Sequence, residues 1–378
     1  MNGITAPPFE FTVPPELEAH EPPEARGLTR DGVRMLVSYR QSDEIHHARF
    51  PDFPDFLRAG DVVVVNVSAT LPAALTATRT DGTDVALHLS TRLPAGLHVV
   101  EFRRSRIETV RASTGSARTE QLVPSVSAGE TMTLPDGGTV TALVPYSEGS
   151  RLWVARLQVP APLFDYLGRW GRPIAYPYVT GTWPIESYQT VYAAVPGSAE
   201  MPSAGRAFTR AILDRLFLRG VIVAPLVLHA GVASLEFNEP SYEEHFEVPI
   251  ETAEDIRAAK ARGGRVIAIG TTVVRALESS VDGRGRSIAS RGWTDLIIAG
   301  HHPLRVIDGL LTGFHEPKAT HLALLEAVAG RDRVARVYQA ALEAGYLWHE
   351  FGDLNLWLPA TPSGARGGAA EPSRSASR

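Results

Sequence analysis

The segment Gly270-Thr271-Thr272-Val273-Val274-Arg275-Ala276-Leu277-Glu278 directly follows the apolar run Val266-Ile267-Ala268-Ile269. A short, β-branched, uncharged run of this kind reads as a strand buried on both faces. Gly270 permits a tight strand-to-helix turn, and Thr271 or Thr272 can cap the helix that follows. Such a helix start offers N–H groups and two hydroxyls at the carboxyl end of a parallel strand, where open α/β sheets hold their ligands. Arg275 and Glu278, three residues apart, share a helical face near that mouth. The structural alternative makes Thr272 only a cap and Arg275 with Glu278 only a surface pair.

Four further segments mix polar groups with apolar ones. Tyr188-Gln189-Thr190-Val191-Tyr192-Ala193 places two phenols, an amide and a hydroxyl within six residues, and Pro202-Ser203-Ala204-Gly205 is a small-residue loop entering a helix. His229 ends an apolar run, and His315 lies in the loop Gly313-Phe314-His315-Glu316-Pro317-Lys318-Ala319-Thr320 ahead of a helix. Imidazole is the side chain poised near neutral pH for proton transfer. A strand-end histidine is also often a hydrogen-bonded core residue, Lys318 has a solvated reading, and Gly205 a plain turn reading. The twelve histidines include no His-x-x-x-His pair on a helix beside a carboxylate, so metal binding is not expected. Nucleotide-phosphate loops of the Gly-x-x-x-x-Gly-Lys-Ser/Thr or Gly-x-Gly-x-x-Gly type are absent as well.

The elements that must position these residues divide into two textures. Asp61 to Asn66 carries four successive valines, a second strand buried on both faces. From about Leu71 to Val159 short alternating runs are separated by turn signals such as Asp81-Gly82 and Asp136-Gly137-Gly138, which predicts a compact antiparallel β-barrel. Beyond Ala161, helical and strand patterns alternate. Helices are expected over Ala207 to Arg219, from Thr252 to Gly263, over Thr272 to Ser279 and over Ala319 to Ala329. Strands are expected over Val221 to Leu228, Val266 to Ile269 and Asp295 to Ala299. The fold class is therefore α/β, a mainly parallel sheet with helices on both faces plus the inserted antiparallel β-barrel. The expected division is 1–70 with 160–360 as one discontinuous domain, 71–159 as the inserted barrel, and 361–378 as a disordered tail.

At 378 residues, with 44% hydrophobic and 21% charged, the composition is that of a globular protein with a sizeable core. No apolar run approaches the roughly 18 residues that span a bilayer. The absence of cysteine removes disulfides and thiolate chemistry, and a cytoplasmic setting is expected. The net charge of −5 gives no general attraction for nucleic acid, so any such contact requires a local basic face. Arg103, Arg104, Arg106, Arg111 and Arg118 form the densest candidate, with a solvated strand face as the alternative.

Taken in order, the polar segments resemble the S-adenosylmethionine:tRNA ribosyltransferase-isomerases of queuosine biosynthesis. The family's Tyr-Gln-Thr-Val-Tyr-Ala stands intact at Tyr188 to Ala193. Its Pro-Thr-Ala-Gly-Leu-His-Phe-Thr is matched at Pro202 to Thr209, its Leu-His-Val-Gly at Leu228 to Gly231, and its Gly-Thr-Thr-Ser-Val-Arg-Thr-Leu-Glu at Gly270 to Glu278. Thr312 to Thr320 and Phe351-Gly352-Asp353 match its two closing motifs. The likeness spans about Phe11 to Pro359 and implies an α/β domain with an inserted barrel. It departs in five places. The family's Asn-Asp-Thr-Arg is Asn66-Val67-Ser68-Ala69, and its Pro-Ala-Arg-Leu is Pro72-Ala73-Ala74-Leu75. Its Leu-His is Arg206-Ala207, and in the loop before Thr320 an Asn is Gly313 and a Leu is Glu316. Its Met-His-Ser-Glu shortens to Ser241-Tyr242-Glu243-Glu244.

The resemblance implies transfer and isomerisation of the ribosyl part of S-adenosylmethionine onto the aminomethyl group of a 7-deazaguanine in tRNA, with adenine and methionine leaving and epoxyqueuosine formed. S-adenosylmethionine is then a co-substrate, no metal is required, and a monomer is expected. By the same resemblance His229 or His315 serves as acid or base, with Glu278 a further catalytic candidate. Thr271, Thr272, Arg275 and Gly270 hold the donor, Tyr188, Gln189, Thr190 and Tyr192 face it, and Ser203, Gly205, Lys318 and Thr320 complete the binding set. The departures keep open a small 7-deazapurine-like acceptor in place of tRNA, or a non-catalytic binding protein that kept the fold.

Overall fold

Val62, Val63, Val64 and Val65 are all buried, and a nine-stranded sheet is built around them. In the computed structural model, residues 10–42, 44–104, 125–147, 151–232, 242–300, 302–317 and 319–359 are described. The strand Val62–Asn66 pairs in parallel with Ile222–Leu228 on one side and Val266–Ile269 on the other, and the latter pairs in parallel with Gly309–Gly313. Both flanks are antiparallel. On one, Ile222–Leu228 is followed by Glu244–Val248 and Ser290–Thr294. On the other, Leu354–Leu358 lies antiparallel to Gly309–Gly313 and parallel to Arg34–Tyr39, which ends the sheet with Ile45–Arg49. The α/β class holds, with a parallel centre in a sheet that is mixed overall.

Strand alternation explains why the centre is apolar throughout. Val62, Val64, Val266 and Ala268 face one hydrophobic cluster with the helices Ile250–Ala261, Thr271–Glu278, Thr320–Ala329 and Arg331–Glu343. Val63, Val65, Ile267 and Ile269 face the opposite cluster, with the helix Arg210–Leu218 and the aromatic turn Phe50–Phe56. Successive side chains of one strand thus enter two different cores.

Six strands close into the barrel in the order Leu152–Gln158, Leu97–Arg104, Asp84–Arg92, Ala74–Thr78, Thr131–Thr133 and Thr139–Pro145. Leu75, Leu87, Val100, Val140 and Ala155 fill its interior. Among the described residues of this stretch only 3-10 turns interrupt the strands.

Several local expectations differ from the structure. The strand near residue 295 is Ser290–Thr294 instead of Asp295 to Ala299. The helix expected from Thr252 begins at Ile250 after Pro249, and the Thr252 hydroxyl donates to the Pro225 carbonyl at 2.5 Å. The helices Leu163–Trp170 and Arg331–Glu343 were not anticipated. The tail beyond 359 lies outside the described residues.

Candidate active site at the carboxyl ends of the central strands

Gly270 leaves the strand Val266–Ile269 with φ of +92°, a backbone region that side chains other than glycine's occupy only with strain. It is itself the N-cap of the helix Thr271–Glu278, and no side chain caps that helix. Neither Thr271 nor Thr272 serves as the cap the sequence led us to expect. Both instead line a cavity of about 190 Å³ at the carboxyl ends of the central strands. Ser203, Thr312, His315 and Thr320 line it too, so four separate chain segments supply hydroxyls or an imidazole.

Arg275 also borders the cavity, but each of its three guanidinium nitrogens is engaged within the protein. It pairs with Glu244 and donates to the carbonyls of Leu296 at 3.0 Å and Thr294 at 3.3 Å. Glu244 in turn accepts from the Gly231 N–H at 2.7 Å, so the pair ties the turn after Leu228 to the helix Thr271–Glu278. Glu278 lies outside the cavity lining. Its buried carboxylate accepts from the N–H groups of Arg305, Val306 and Ile307 at 3.0, 3.0 and 3.4 Å, bracing the segment before Gly309–Gly313.

The two histidines occupy different places. His315 Nε2 lies 2.9 Å from the Thr312 hydroxyl, and its ring stacks on His321 with centroids 4.6 Å apart. Burial, reinforced by His321 and His349, pushes its pKa well below the usual histidine range, so the ring is neutral at neutral pH. His229 is not part of the lining. Its Nδ1 lies 2.7 Å from the Ser68 hydroxyl, which is 2.7 Å from the Ser198 hydroxyl, and burial with help from His245 lowers its pKa to about 4. A Cβ at Gly197 would fall 2.4 Å from the His229 ring, so this glycine is required by the close approach.

Of the run Tyr188 to Ala193, only Tyr188 reaches a cavity lining. The Gln189 amide brackets Thr70, accepting from its N–H at 3.0 Å and donating to its carbonyl at 2.8 Å. Thr190 is buried away from the cavity. The Tyr192 phenol packs against Phe208, burial pushes its pKa up, and a Cβ at Gly205 would meet its hydroxyl at 2.0 Å. Gly205 therefore serves the packing of Tyr192. Lys318 lies outside the described residues.

A second lobe of about 110 Å³ adjoins the first and shares Glu200, Met201, Ser203 and His315 with it. Tyr176, Tyr178, Tyr188, His349, Glu316 and Glu350 line it. Glu200, His321, Tyr178, His349 and Glu350 were missed in the sequence. The available signals were adjacency, since Glu200 stands two residues before Pro202 and His349-Glu350 immediately precede Phe351-Gly352-Asp353. Arg206, which stands where the family motif has leucine, is buried on the Ser187 carbonyl and Glu24 at 2.8 Å each and serves the fold. Arg103 is buried on Glu101, while Arg106, Arg111 and Arg118 lie outside the described residues. The basic face expected there is thus reduced to Arg104 among the described residues. No group of three or more His, Asp or Glu side chains among the described residues is arranged to hold a metal. No helix among them is long and apolar enough to cross a membrane.

A parallel-centred sheet with an inserted closed barrel, and a polar cavity at the strands' carboxyl ends, is the architecture of a ligand-binding α/β enzyme. The family model described as "Queuosine biosynthesis protein" matches residues 7–357, and the chain belongs to that family. It is 36% identical over 366 residues to an S-adenosylmethionine:tRNA ribosyltransferase-isomerase of Thermus thermophilus, covering 95% of this chain and 100% of that protein. The corresponding protein of Desulfitobacterium hafniense is 34% identical over 364 residues, 93% of this chain and 98% of the relative. The crystal structure of an S-adenosylmethionine tRNA ribosyltransferase from Thermotoga maritima superposes with a TM-score of 0.50 at 28% identity, covering 93% of this chain and 99% of that one.

Proposed function

We propose that this protein transfers and isomerises the ribosyl moiety of S-adenosylmethionine onto the aminomethyl group of 7-aminomethyl-7-deazaguanine in tRNA, giving epoxyqueuosine and releasing adenine and methionine. The observation that carries this reading is the cavity at Gly270, Thr271, Thr272, Ser203 and His315, in a chain that matches the family from residue 7 to 357. No observation favours the small-acceptor reading over it.

The donor occupies the first lobe, where Thr271, Thr272 and Ser203 offer hydroxyls to the ribose and the methionine carboxylate. Arg275 is a positioning residue here, holding Glu244 and the turn at Gly231 rather than meeting the carboxylate itself. The sulfonium acidifies its neighbouring carbon, and a base must reach that proton directly or through one water. His315 is the candidate because it lines both lobes, is neutral, and is oriented by Thr312. His229 acts at a distance, through Ser68 and Ser198, on the segment that carries Ala230. The domain division proposed for the chain is 1–70 with 160–360, and 71–159 for the barrel, which the closed strand order supports.

The test is incubation of the purified protein with labelled S-adenosylmethionine, with and without tRNA carrying the aminomethyl base. Adenine release that requires this tRNA is the expected result. Release with a free deazapurine alone, or none with either acceptor, removes the proposal.

A further inference from the structure

The wall of the first lobe at Gly231 is held from two sides. On the sheet side, the Gly231 N–H donates to Glu244, the partner of Arg275. On the other side stands the barrel. Val232, the next residue, packs its side chain into the barrel's own apolar cluster, as does Tyr242, and both are buried. The Val232 N–H donates to the Ser90 hydroxyl at 3.0 Å. Its carbonyl accepts from the Tyr242 hydroxyl at 3.0 Å and, in a longer contact of 3.5 Å, from Arg151. Gly231 admits this approach, since a Cβ there would fall 2.6 Å from the Ser90 hydroxyl and from the Tyr242 ring. Gly231, Tyr242 and Glu244 line the lobe, and Ser90 and Arg151 stand behind them.

The barrel carries a local irregularity at this contact. Between the pairs Leu89–Val100 and Arg92–His98, the strand Asp84–Arg92 advances three residues while Leu97–Arg104 advances two, a bulge that holds Ser90 and Thr91. A bulge re-aims a side chain out of the strict alternation of a strand, and Leu89, Ser90 and Thr91 are buried in succession here. Arg151 is anchored as well. Its Nε donates to Glu101 at 2.6 Å, and the buried Glu101 also accepts two hydrogen bonds from Arg103. The barrel end of the contact is thus fixed by its own bonds.

We propose that Ser90, with Arg151 behind it, is a positioning residue for the donor: it holds the turn Gly231–Val232 from the barrel, so that the inserted barrel sets the shape of the S-adenosylmethionine cavity. This role rests on the reaction proposed above and gives the barrel a part in it. Ser90 acts through the Val232 backbone on Gly231 and Tyr242 and does not meet the donor itself. Sites of this kind depend on the shell that supports them, because a misplacement of about 1 Å can cost on the order of 100-fold.

Ser90→Ala removes the acceptor of the Val232 N–H and leaves every lining residue in place. It is expected to raise the S-adenosylmethionine KM for adenine release, and the dissociation constant by calorimetry, about three- to tenfold, the equivalent of one hydrogen bond, with kcat within about twofold. Arg151→Met should shift both in the same direction. Met132→Ala is the control for general loosening of the barrel: it empties part of the barrel core on Thr131–Thr133, a strand that carries neither residue, and should lower Tm without changing the donor KM. Unchanged donor affinity in Ser90→Ala overturns the proposal, and so does an equal rise in Met132→Ala. Ser90→Ala deletes one hydroxyl only and carries the test alone if Arg151→Met does not fold. Failure of the underlying reaction reads differently: wild-type protein then binds S-adenosylmethionine but releases no adenine with modified tRNA, and the calorimetric comparison still decides the role of Ser90.

Discussion

Arg275 and Glu244 form an ion pair at the rim of the cavity, with side chains 20% and 6% exposed, linking the helix Thr271–Glu278 to the strand Glu244–Val248. The arginine of the Gly-Thr-Thr motif therefore acts on the cavity through protein structure. Removing it strands a buried carboxylate, which costs more than the pair contributes.

Arg275→Met is accordingly expected to destabilise the protein by on the order of 3 kcal/mol, as is Glu244→Gln in smaller measure. The double variant should recover part of the loss, and a double-mutant cycle in urea measures the coupling. Additive effects would show that the pair is not an energetic unit.

Much of the architecture was legible because it rests on period. The four valines at 62–65 and the run Val266 to Ile269 are apolar on both faces, short and rich in β-branched residues, which favours a doubly covered strand. The barrel was legible from its turn punctuation. What local pattern does not contain is direction: Tyr192 and Tyr188 look equivalent in their run, yet only Tyr188 reaches a lobe, because Gly205 leaves a hole that the Tyr192 hydroxyl fills. Glu278 and Arg275 do share a helical side, but each is claimed by backbone groups of a segment distant in sequence. His349 escaped notice because its conformation and its stacking on Tyr178 are set by tertiary packing.

Gly270→Ala is expected to weaken both stability and donor binding. At φ of +92° and ψ of 158°, a region occupied almost only by glycine, an alanine is strained by about 1–3 kcal/mol, although its Cβ would make only ordinary contact with Ala204 at 3.4 Å. Thermal denaturation and calorimetry with S-adenosylmethionine check the two effects. Wild-type values for both would remove the turn from the site.

If His315 is the acid or base, His315→Gln should lower kcat by about 10²–10⁴ with a much smaller change in donor affinity. Burial keeps this ring neutral, as it does His229, whose pKa is lowered to about 4. Selective ¹³C labelling of histidine should then show neither ring titrating between about pH 8 and about pH 5.5. A titration of His315 near the ordinary histidine value would contradict its assignment as a buried neutral group.

His98 gives stability a pH dependence that is separate from catalysis. Burial, with Arg92 nearby, lowers its pKa to about 4, and neither ring nitrogen has a hydrogen-bond partner among the described residues. A depressed pKa means that the unfolded chain binds the proton first. The stability is present above the unfolded value near 6.5 and is lost as pH falls towards about 4. His98→Leu removes that term, so urea unfolding at about pH 5 should favour the variant relative to its own comparison with wild type near pH 7.5. Equal pH slopes for the two proteins would show that His98 is not the origin.

Adjacent arginines on the barrel strand Leu97–Arg104 are expected to behave oppositely. Arg103 is buried and donates to Glu101 at 2.7 and 2.9 Å. Burial alone would raise the Glu101 pKa, but the His88 imidazole 3.6 Å away together with Arg103 and Arg151 holds it well below the usual carboxylate range. Arg104, one residue on, is exposed and faces the other side of the strand. Arg103→Ala should therefore lower stability by on the order of 3 kcal/mol, because it removes one partner of a buried carboxylate. Arg104→Ala should leave stability within about 0.5 kcal/mol. If Arg104 meets a phosphate, its loss should also reduce the log–log salt slope of tRNA binding by about one. Filter binding over a salt series measures the slope. A change of slope in neither variant would move the tRNA interface away from this end of the strand.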